Sequence, residues 1–132
     1  MDRKEFTAIR RYLGKTQSQM AQLLGTSLKA MQSFEQGWRK VPVHIERQLL
    51  FIVAKKSSAL KGKKCWTAQS CPKESRENCP AWEFQLGHLC WFINGTVCHG
   101  EVQESWQKKM KTCRNCDVFN SAMPDFLVKP AF

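Results

Sequence analysis

The stretch Thr16-Gln17-Ser18-Gln19-Met20-Ala21-Gln22-Leu23-Leu24-Gly25 decides the fold of the first half of the chain. Met20, Ala21, Leu23 and Leu24 predict the apolar side of a helix over about Gln17–Leu24. Gly25 then predicts a tight turn, because glycine adopts left-handed backbone angles without a steric penalty. The sequence therefore predicts a short helix that ends sharply before a second one begins.

The next helix is delimited by its capping residues. Ser27 is a suitable N-cap, and Gly37 closes a helix that runs to about Gln36. Ala30, Met31 and Phe34 share the face expected to be buried. The opposite face carries the side chains that remain available for binding, namely Leu28, Lys29, Gln32 and Ser33.

Flanking segments complete the predicted domain. Residues 5–13 place Phe6, Ile9 and Leu13 on one helical face, and Gly14 ends that helix. Pro42 opens a last helix, in which the expected core residues are Ile45, Leu49, Ile52 and Val53. We expect an all-α domain of about five helices over residues 1–56.

The segment from Thr16 to Gly25, continuing through Ser27 to Glu35-Gln36-Gly37, closely resembles the Cro/repressor (XRE-type) helix-turn-helix family. The shared features are the Gln at the start of the second helix, the small Ala, the turn Gly and the Glu-x-Gly after the third helix. The resemblance covers about residues 3–56 and implies that the third helix enters the major groove of DNA. It also implies a structural pair between Arg10 and Glu35.

This geometry assigns roles to individual side chains. Lys29 can donate to guanine, Gln32 can pair with adenine or a phosphate, and Leu28 can meet a thymine methyl group. Phosphate contacts are expected at both ends of the motif. The complete set of predicted DNA-binding residues is Gln17, Ser27, Leu28, Lys29, Gln32, Ser33, Gln36, Arg39 and Lys40. The expected partner is a palindromic double-stranded operator bound by a homodimer; a protein-interaction module without DNA binding is the alternative.

Charge agrees with a DNA-binding first half. The net charge is +10, and residues 1–56 carry 11 Lys and Arg against 4 Asp and Glu, while residues 57–132 carry 10 against 7. A cationic surface attracts phosphate, although it also serves solubility. We expect a cytoplasmic protein without a targeting or membrane segment, because no long apolar run is present.

All seven cysteines lie in the second half of the chain. In a reducing compartment, such clustering favours metal ligation over disulfides. Their spacing matches neither a C2H2 zinc finger nor a bacterial ferredoxin, and only the last pair has the short Cys-x2-Cys spacing. The predicted metal ligands are Cys65, Cys71, Cys79, Cys90, Cys98, Cys113 and Cys116.

Local patterns predict a hairpin and a helix in this half. Asn94-Gly95 lies between apolar runs at Leu89–Ile93 and Thr96–His99, which indicates a two-residue hairpin turn. In that register Cys90 and Cys98 lie on opposite faces, which favours two separate sites or a distorted hairpin. A following helix over about Glu101–Lys111 would place on its core side Val102, Trp106 and Met110.

Cys65-Trp66, Cys71-Pro72, Asn78-Cys79-Pro80-Ala81, Cys90-Trp91, Gly95-Thr96-x-Cys98 and Cys113-x2-Cys116-x2-Phe119 resemble the Cys-rich "two-CW" module attached to bacterial regulators. The resemblance implies a sensory or metal-binding role without settling the metal. An iron–sulfur cluster of the 4Fe–4S type, structural zinc and a thiol/disulfide switch are the alternatives. Trp66, Trp82 and Trp91 can screen a cluster or form core, and His99 is a possible further ligand.

These patterns predict a small two-domain protein. The expected parts are a helix-turn-helix domain at 1–56, a linker at 57–64, a metal-stabilised α+β domain with a hairpin and short helix at 65–119, and a tail at 120–132. The predicted function is a transcriptional regulator whose iron–sulfur cluster senses redox state, oxygen or iron. The alternative is a constitutive DNA-binding protein with a zinc-stabilised structural domain. An enzyme is not expected, because no catalytic set stands out.

Overall fold

The computed structural model describes residues 1–57 and 64–127. In these ranges the chain is mostly helical, with one two-stranded antiparallel sheet. Internal contacts divide the chain into two units, Met1–Lys56 and Ser57–Phe132. No helix in the described ranges is long and apolar enough to cross a membrane. Residues 58–63 of the predicted linker at 57–64 and residues 128–132 of the predicted tail lie outside the described residues.

The first unit contains four helices rather than about five: α1 (Arg3–Tyr12), α2 (Gln17–Leu24), α3 (Leu28–Gln36) and α4 (Val43–Lys56). Local chemistry explains where they begin and end. Thr16 and Gln19 form a reciprocal capping box at the start of α2, and the Ser27 side chain accepts from the Ala30 amide. Gly25 and Gly37 end α2 and α3 in the left-handed conformation. The predicted bounds of α2 and α3 are confirmed.

The core of the first unit is formed by buried side chains from all four helices. Phe6 and Phe34 meet edge to face, with ring centroids 5.7 Å apart. The predicted burial is wrong for two residues, Leu23 and Ile52. Leu23 is 45% exposed because it lies at the edge of the face formed by its neighbours in α2, and Ile52 is only half-buried, whereas Leu50 is fully buried.

The second unit consists of short elements. They are α5 (Cys65–Ala68), α6 (Lys73–Glu77), α7 (Pro80–Glu83), a 3₁₀ turn (Cys90–Phe92), β1 (Val97–Cys98), β2 (Glu101–Val102), α8 (Trp106–Cys113), α9 (Asp117–Ala122) and a second 3₁₀ turn (Asp125–Leu127). The longest of them, α8, has eight residues. Such elements depend on tertiary contacts, because isolated helices of this length are unstable in water.

The predicted hairpin at Asn94-Gly95 is wrong. The segment Cys90–Phe92 is a 3₁₀ turn, and the strands that pair are β1 and β2, with Val97 opposite Val102 and Cys98 opposite Glu101. The turn is formed by His99 and Gly100, which both have positive φ, at 54° and 80°. A two-residue turn with positive φ at both positions matches the twist of the strands, and His99 adopts it despite its side chain.

The predicted core side of the following helix is confirmed at Trp106 and wrong at Val102 and Met110. Val102 belongs to β2 and is 52% exposed, and α8 begins only after its N-cap, Ser105. The buried face of α8 is formed by Trp106, Lys109 and Cys113. The fully buried lysine is not expected from the sequence, because lysines are almost never buried unless paired.

Candidate functional site

All seven cysteines line one cavity of about 80 Å³ in the second unit. This volume exceeds the roughly 10–15 Å³ that a single water molecule needs. The prediction that Cys90 and Cys98 lie on opposite faces is therefore wrong, since both side chains reach the same cavity. The reason is the shifted hairpin, which leaves only Cys98 in a strand and Cys90 in a 3₁₀ turn.

The fold delivers each sulfur from a different place in the chain. Cys65 is the first residue of α5, and Cys71 follows that helix after a short turn. Cys79 and Cys116 immediately precede α7 and α9, and Cys113 is the last residue of α8. The unit is thus organised around the cavity.

Three of the sulfurs lie within hydrogen-bonding distance of a donor group outside the cysteines, and Cys71 Sγ donates to the Pro72 carbonyl oxygen at 3.7 Å. The Val97 amide donates to Cys79 Sγ at 3.3 Å, and Gln69 Nε2 donates to Cys116 Sγ at 3.6 Å. Thr96 Oγ1 lies 3.7 Å from Cys98 Sγ. Hydrogen bonds to sulfur stabilise the thiolate form and tune bound iron–sulfur clusters. These contacts suit sulfurs that carry negative charge.

Cys65 and Cys90 form a hydrogen-bonded pair of side chains. The hydrogen bond from Cys90 lowers the pKa of Cys65 to about 7, against the opposing effect of burial. The same bond, together with burial, raises the pKa of Cys90. Among the cysteines whose pKa is shifted, Cys65 alone is therefore favoured as a thiolate near neutral pH.

Burial dominates at the other shifted cysteines. It raises the pKa of Cys113 to about 12 and also raises the pKa of Cys71 and Cys98. Neighbouring cysteines add to these shifts, because thiolates brought together repel one another. The metal-free cavity therefore cannot hold many thiolates at neutral pH without a compensating positive charge.

The arrangement of sulfurs bears on which group fits. Within residues 1–57 and 64–127, no three Cys, His, Asp or Glu side chains are placed to hold a single metal ion. A zinc ion needs its sulfurs at about 2.3 Å from one centre. In a four-iron cluster each cysteine binds a different iron, so the sulfurs stand farther apart. The seven sulfurs that line the cavity are the donor type that both zinc and iron–sulfur clusters use.

Aromatic side chains border this cavity. Trp66 and Trp82 line it and meet edge to face, with ring centroids 4.9 Å apart. Trp91 is fully buried and packs edge to face on Phe119, so its role is in the core. His99 also lines the cavity from the hairpin turn.

The predicted DNA-binding face is the outward side of α3 and the segment after it. Gln17 and Ser33 are half-buried, and the exposed predicted residues are Ser27, Leu28, Lys29, Gln32, Gln36, Arg39 and Lys40. Because α3 packs on α1 and α2 through its other face, its first turn remains open to a ligand. The predicted base-contacting residues Leu28, Lys29 and Gln32 thus share one accessible surface.

A polar network holds α1, α2 and α3 together at this surface. Arg10 forms an ion pair with Glu35, as predicted, and Gln17 Nε2 donates to Glu35 Oε2 at 2.7 Å. Gln17 was predicted to position a phosphate, and this bond gives it a structural role in addition. Its second N–H is the donor that remains for the predicted phosphate contact.

Two residues that the sequence analysis did not single out belong to these sites. Trp38, between Gly37 and Arg39, is 80% exposed, and the guanidinium of Arg39 lies 5.5 Å from the centre of the Phe34 ring. Lys109 is fully buried in the second unit. The signal for Trp38 was an aromatic residue followed by two cations, Arg39 and Lys40. For Lys109 there was no signal in the sequence, because the helix α8 was predicted in another register.

No family model matches the chain, and no curated protein and no solved structure shows significant similarity to it.

Proposed function

We propose that the chain is a sequence-specific DNA-binding transcriptional regulator whose second unit holds an iron–sulfur cluster. The observation that carries this proposal is that seven cysteines, delivered by separate elements, line one cavity. Cysteines used only for packing would have no reason to face a common cavity. The cluster would report redox state, oxygen or iron, since thiolate-bound clusters respond to each of these.

The first unit supports the DNA-binding part of the proposal. Its α3 presents Lys29 and Gln32, two side chains that read base edges, beside Leu28. Arg39 and Lys40 follow the helix and supply positive charge for the phosphate backbone. The proposed binding unit is a homodimer on a palindrome with half-sites about one helical turn apart.

The residues around the cavity are suited to hold the cluster and to shield it. Cys65, Cys90 and Cys113 face the cavity from buried or half-buried positions, and Trp66 and Trp82 form part of its wall. When bound, the cluster would supply a redox-active centre whose loss or oxidation changes the packing of the short elements. Regulation would then follow by linkage, because a cofactor that favours one state of the protein shifts DNA affinity.

The test uses the full chain purified without oxygen. Its operator is first selected from random duplexes, and binding is then measured for cofactor-loaded and metal-free protein at matched salt. The proposal predicts salt-dependent binding that changes at least about fivefold on cofactor loss, the lower end of common allosteric couplings. Absence of DNA binding would refute the regulator, and equal binding by both forms would refute the sensor.

A matched pair of variants assigns the binding to α3. Gln32→Ala alters the proposed recognition surface, whereas Gln48→Ala alters an exposed glutamine in α4. The account predicts weaker operator binding for the first variant alone. Equal effects of the two substitutions would place the DNA contact elsewhere in the first unit.

A further inference from the structure

Lys109 is an unusual residue to find inside the second unit. Its side chain is 0% exposed, although lysines are almost never fully buried unless paired. In the described part of the chain no carboxylate forms an ion pair with it. A buried ammonium without a counter-charge costs several kcal/mol in a typical interior. A negatively charged group other than Asp or Glu near Lys109 would offset this cost.

One hydrogen bond positions the ammonium. Lys109 Nζ donates to Thr96 Oγ1 at 2.6 Å, and Thr96 is itself 1% exposed and lines the cysteine cavity. Because the Thr96 oxygen accepts from lysine, its own proton is free to donate to Cys98 Sγ, 3.7 Å away. Lys109 thus lies behind the cavity wall and is connected to it through one hydroxyl group.

The nearby groups that can carry negative charge are the cysteine sulfurs. Lys109 and Cys113 are four residues apart on one face of α8. Both Cys98 and Cys113 line the cavity, and the Thr96 hydroxyl group that holds the ammonium lies 3.7 Å from Cys98 Sγ.

We propose that Lys109, held by Thr96, is the internal counter-ion of a metal–thiolate centre in the cysteine cavity and sets how tightly that centre is bound. The inference rests on the proposed metal centre. Four thiolates outweigh the charge of one zinc ion, and an iron–sulfur cluster with four thiolate ligands is anionic as well. In both cases a buried cation stabilises the loaded state and is unbalanced in the empty one.

The variant Lys109→Met keeps a long unbranched side chain and removes the charge. This role predicts that the variant retains or gains stability in the metal-free protein but loses metal affinity. In the reduced, metal-free protein it is expected to be at least as stable as the wild type, because an unbalanced buried charge is gone. Its zinc affinity, measured by competition with a chelator, is expected to fall by about 10–100-fold, as for other residues behind metal ligands. The control is Lys111→Met, which removes an exposed charge from the same helix.

Two more variants separate charge from shape. Lys109→Arg retains the charge and is expected to restore most of the affinity. Thr96→Val keeps the lysine and removes the hydroxyl group, so an intermediate loss is expected. In protein loaded with iron and sulfide, Lys109→Met should lower the reduction potential, because a nearby cation favours the more negative, reduced state.

The outcomes distinguish the two proposals. If the wild type takes up neither zinc nor iron and sulfide, the metal centre is refuted, and the role of Lys109 with it. If the wild type is loaded but Lys109→Met matches it in affinity and potential, only the counter-ion role is refuted. Equal destabilisation of metal-free and loaded Lys109→Met would make Lys109 a packing residue and would also overturn the inference.

Discussion

The two units of this chain are specified in different ways. The first has helices of 8–14 residues whose capping residues and apolar faces agree with one another. The second has no helix longer than eight residues within the described ranges, and its cysteines converge on a cavity. Local sequence preferences predict the helices of the first unit, whereas the short elements of the second unit depend on tertiary contacts.

The difference extends to how each unit treats charge. In the first unit a half-buried cation, Arg10, has a carboxylate partner in Glu35. In the second unit a fully buried cation, Lys109, faces a hydroxyl group and a set of thiols. A buried charge in a folded domain can be neutralised by another side chain or by a bound group. We infer that the second arrangement is what couples stability to a cofactor.

The largest expected effect is a loss of stability in the first unit, and it tests whether this unit unfolds independently of the second. Phe34→Ala removes the ring that meets Phe6 and should destabilise this unit by about 3–5 kcal/mol. Thermal unfolding followed together with metal content should then show loss of the first unit while the second retains its cofactor. If the first unit unfolds and the metal is released at the same temperature, the two units do not unfold independently, and this expectation is wrong.

The next effect compares the ion pairs of the two units. Glu35→Gln leaves Arg10 without a charged partner and should cost about 1–3 kcal/mol, because both side chains are largely buried. Glu77→Gln breaks the exposed pair with Lys73 and should cost less than about 0.5 kcal/mol. Denaturant titration measures both. Similar costs would mean that the Arg10–Glu35 pair is not a structural element.

A smaller effect concerns DNA binding by the first unit. Arg39→Met removes one predicted phosphate contact and should weaken binding to all duplexes, while lowering the slope of log affinity against log salt by about 1. Lys55→Met removes an exposed charge near the end of α4 and serves as the control. An unchanged slope for Arg39→Met would remove this residue from the phosphate-binding set.

The smallest effect is a change in thiol reactivity without a change in fold. Because the pKa of Cys65 is lowered to about 7 by Cys90, its alkylation in reduced, metal-free protein should rise from pH 6 to pH 8 and then level off. Cys113, whose pKa burial raises to about 12, should stay unreactive over this range. Mass spectrometry of iodoacetamide-treated protein resolves the two sites.

The Cys90→Ala variant completes that test. Removing the donor should raise the pKa of Cys65, so the rise in its alkylation moves to higher pH. An unshifted profile would show that Cys90 does not control this sulfur.

The sequence was sufficient where local rules act alone. Ser27 and Gly37 predicted both ends of α3, because a side-chain cap and a left-handed residue are local features. The count of about five helices failed since α4 forms one continuous helix from Val43 to Lys56. The DNA-binding residues remain predictions, although most of them lie on an exposed surface as expected.

The second unit was harder because several turn signals compete. Asn94-Gly95 is the stronger hairpin signal in the sequence, yet the chain turns at His99-Gly100. A backbone hydrogen bond from Gly95 to Gln103 extends the pairing beyond the two strands on the side away from that turn. Sequence also could not place the cysteines on one cavity, since that depends on how nine short segments pack together. Lys109 was missed because a buried lysine contradicts the periodicity rule.

The most direct test of the central claim is analysis of iron, sulfide and zinc in the full chain purified without oxygen, together with its visible spectrum. The account predicts iron and sulfide in similar amounts and a visible absorbance that bleaches in air. Colourless protein that holds only zinc and survives air, or protein that holds no metal, would contradict the claim that the cysteine cavity is an iron–sulfur sensor.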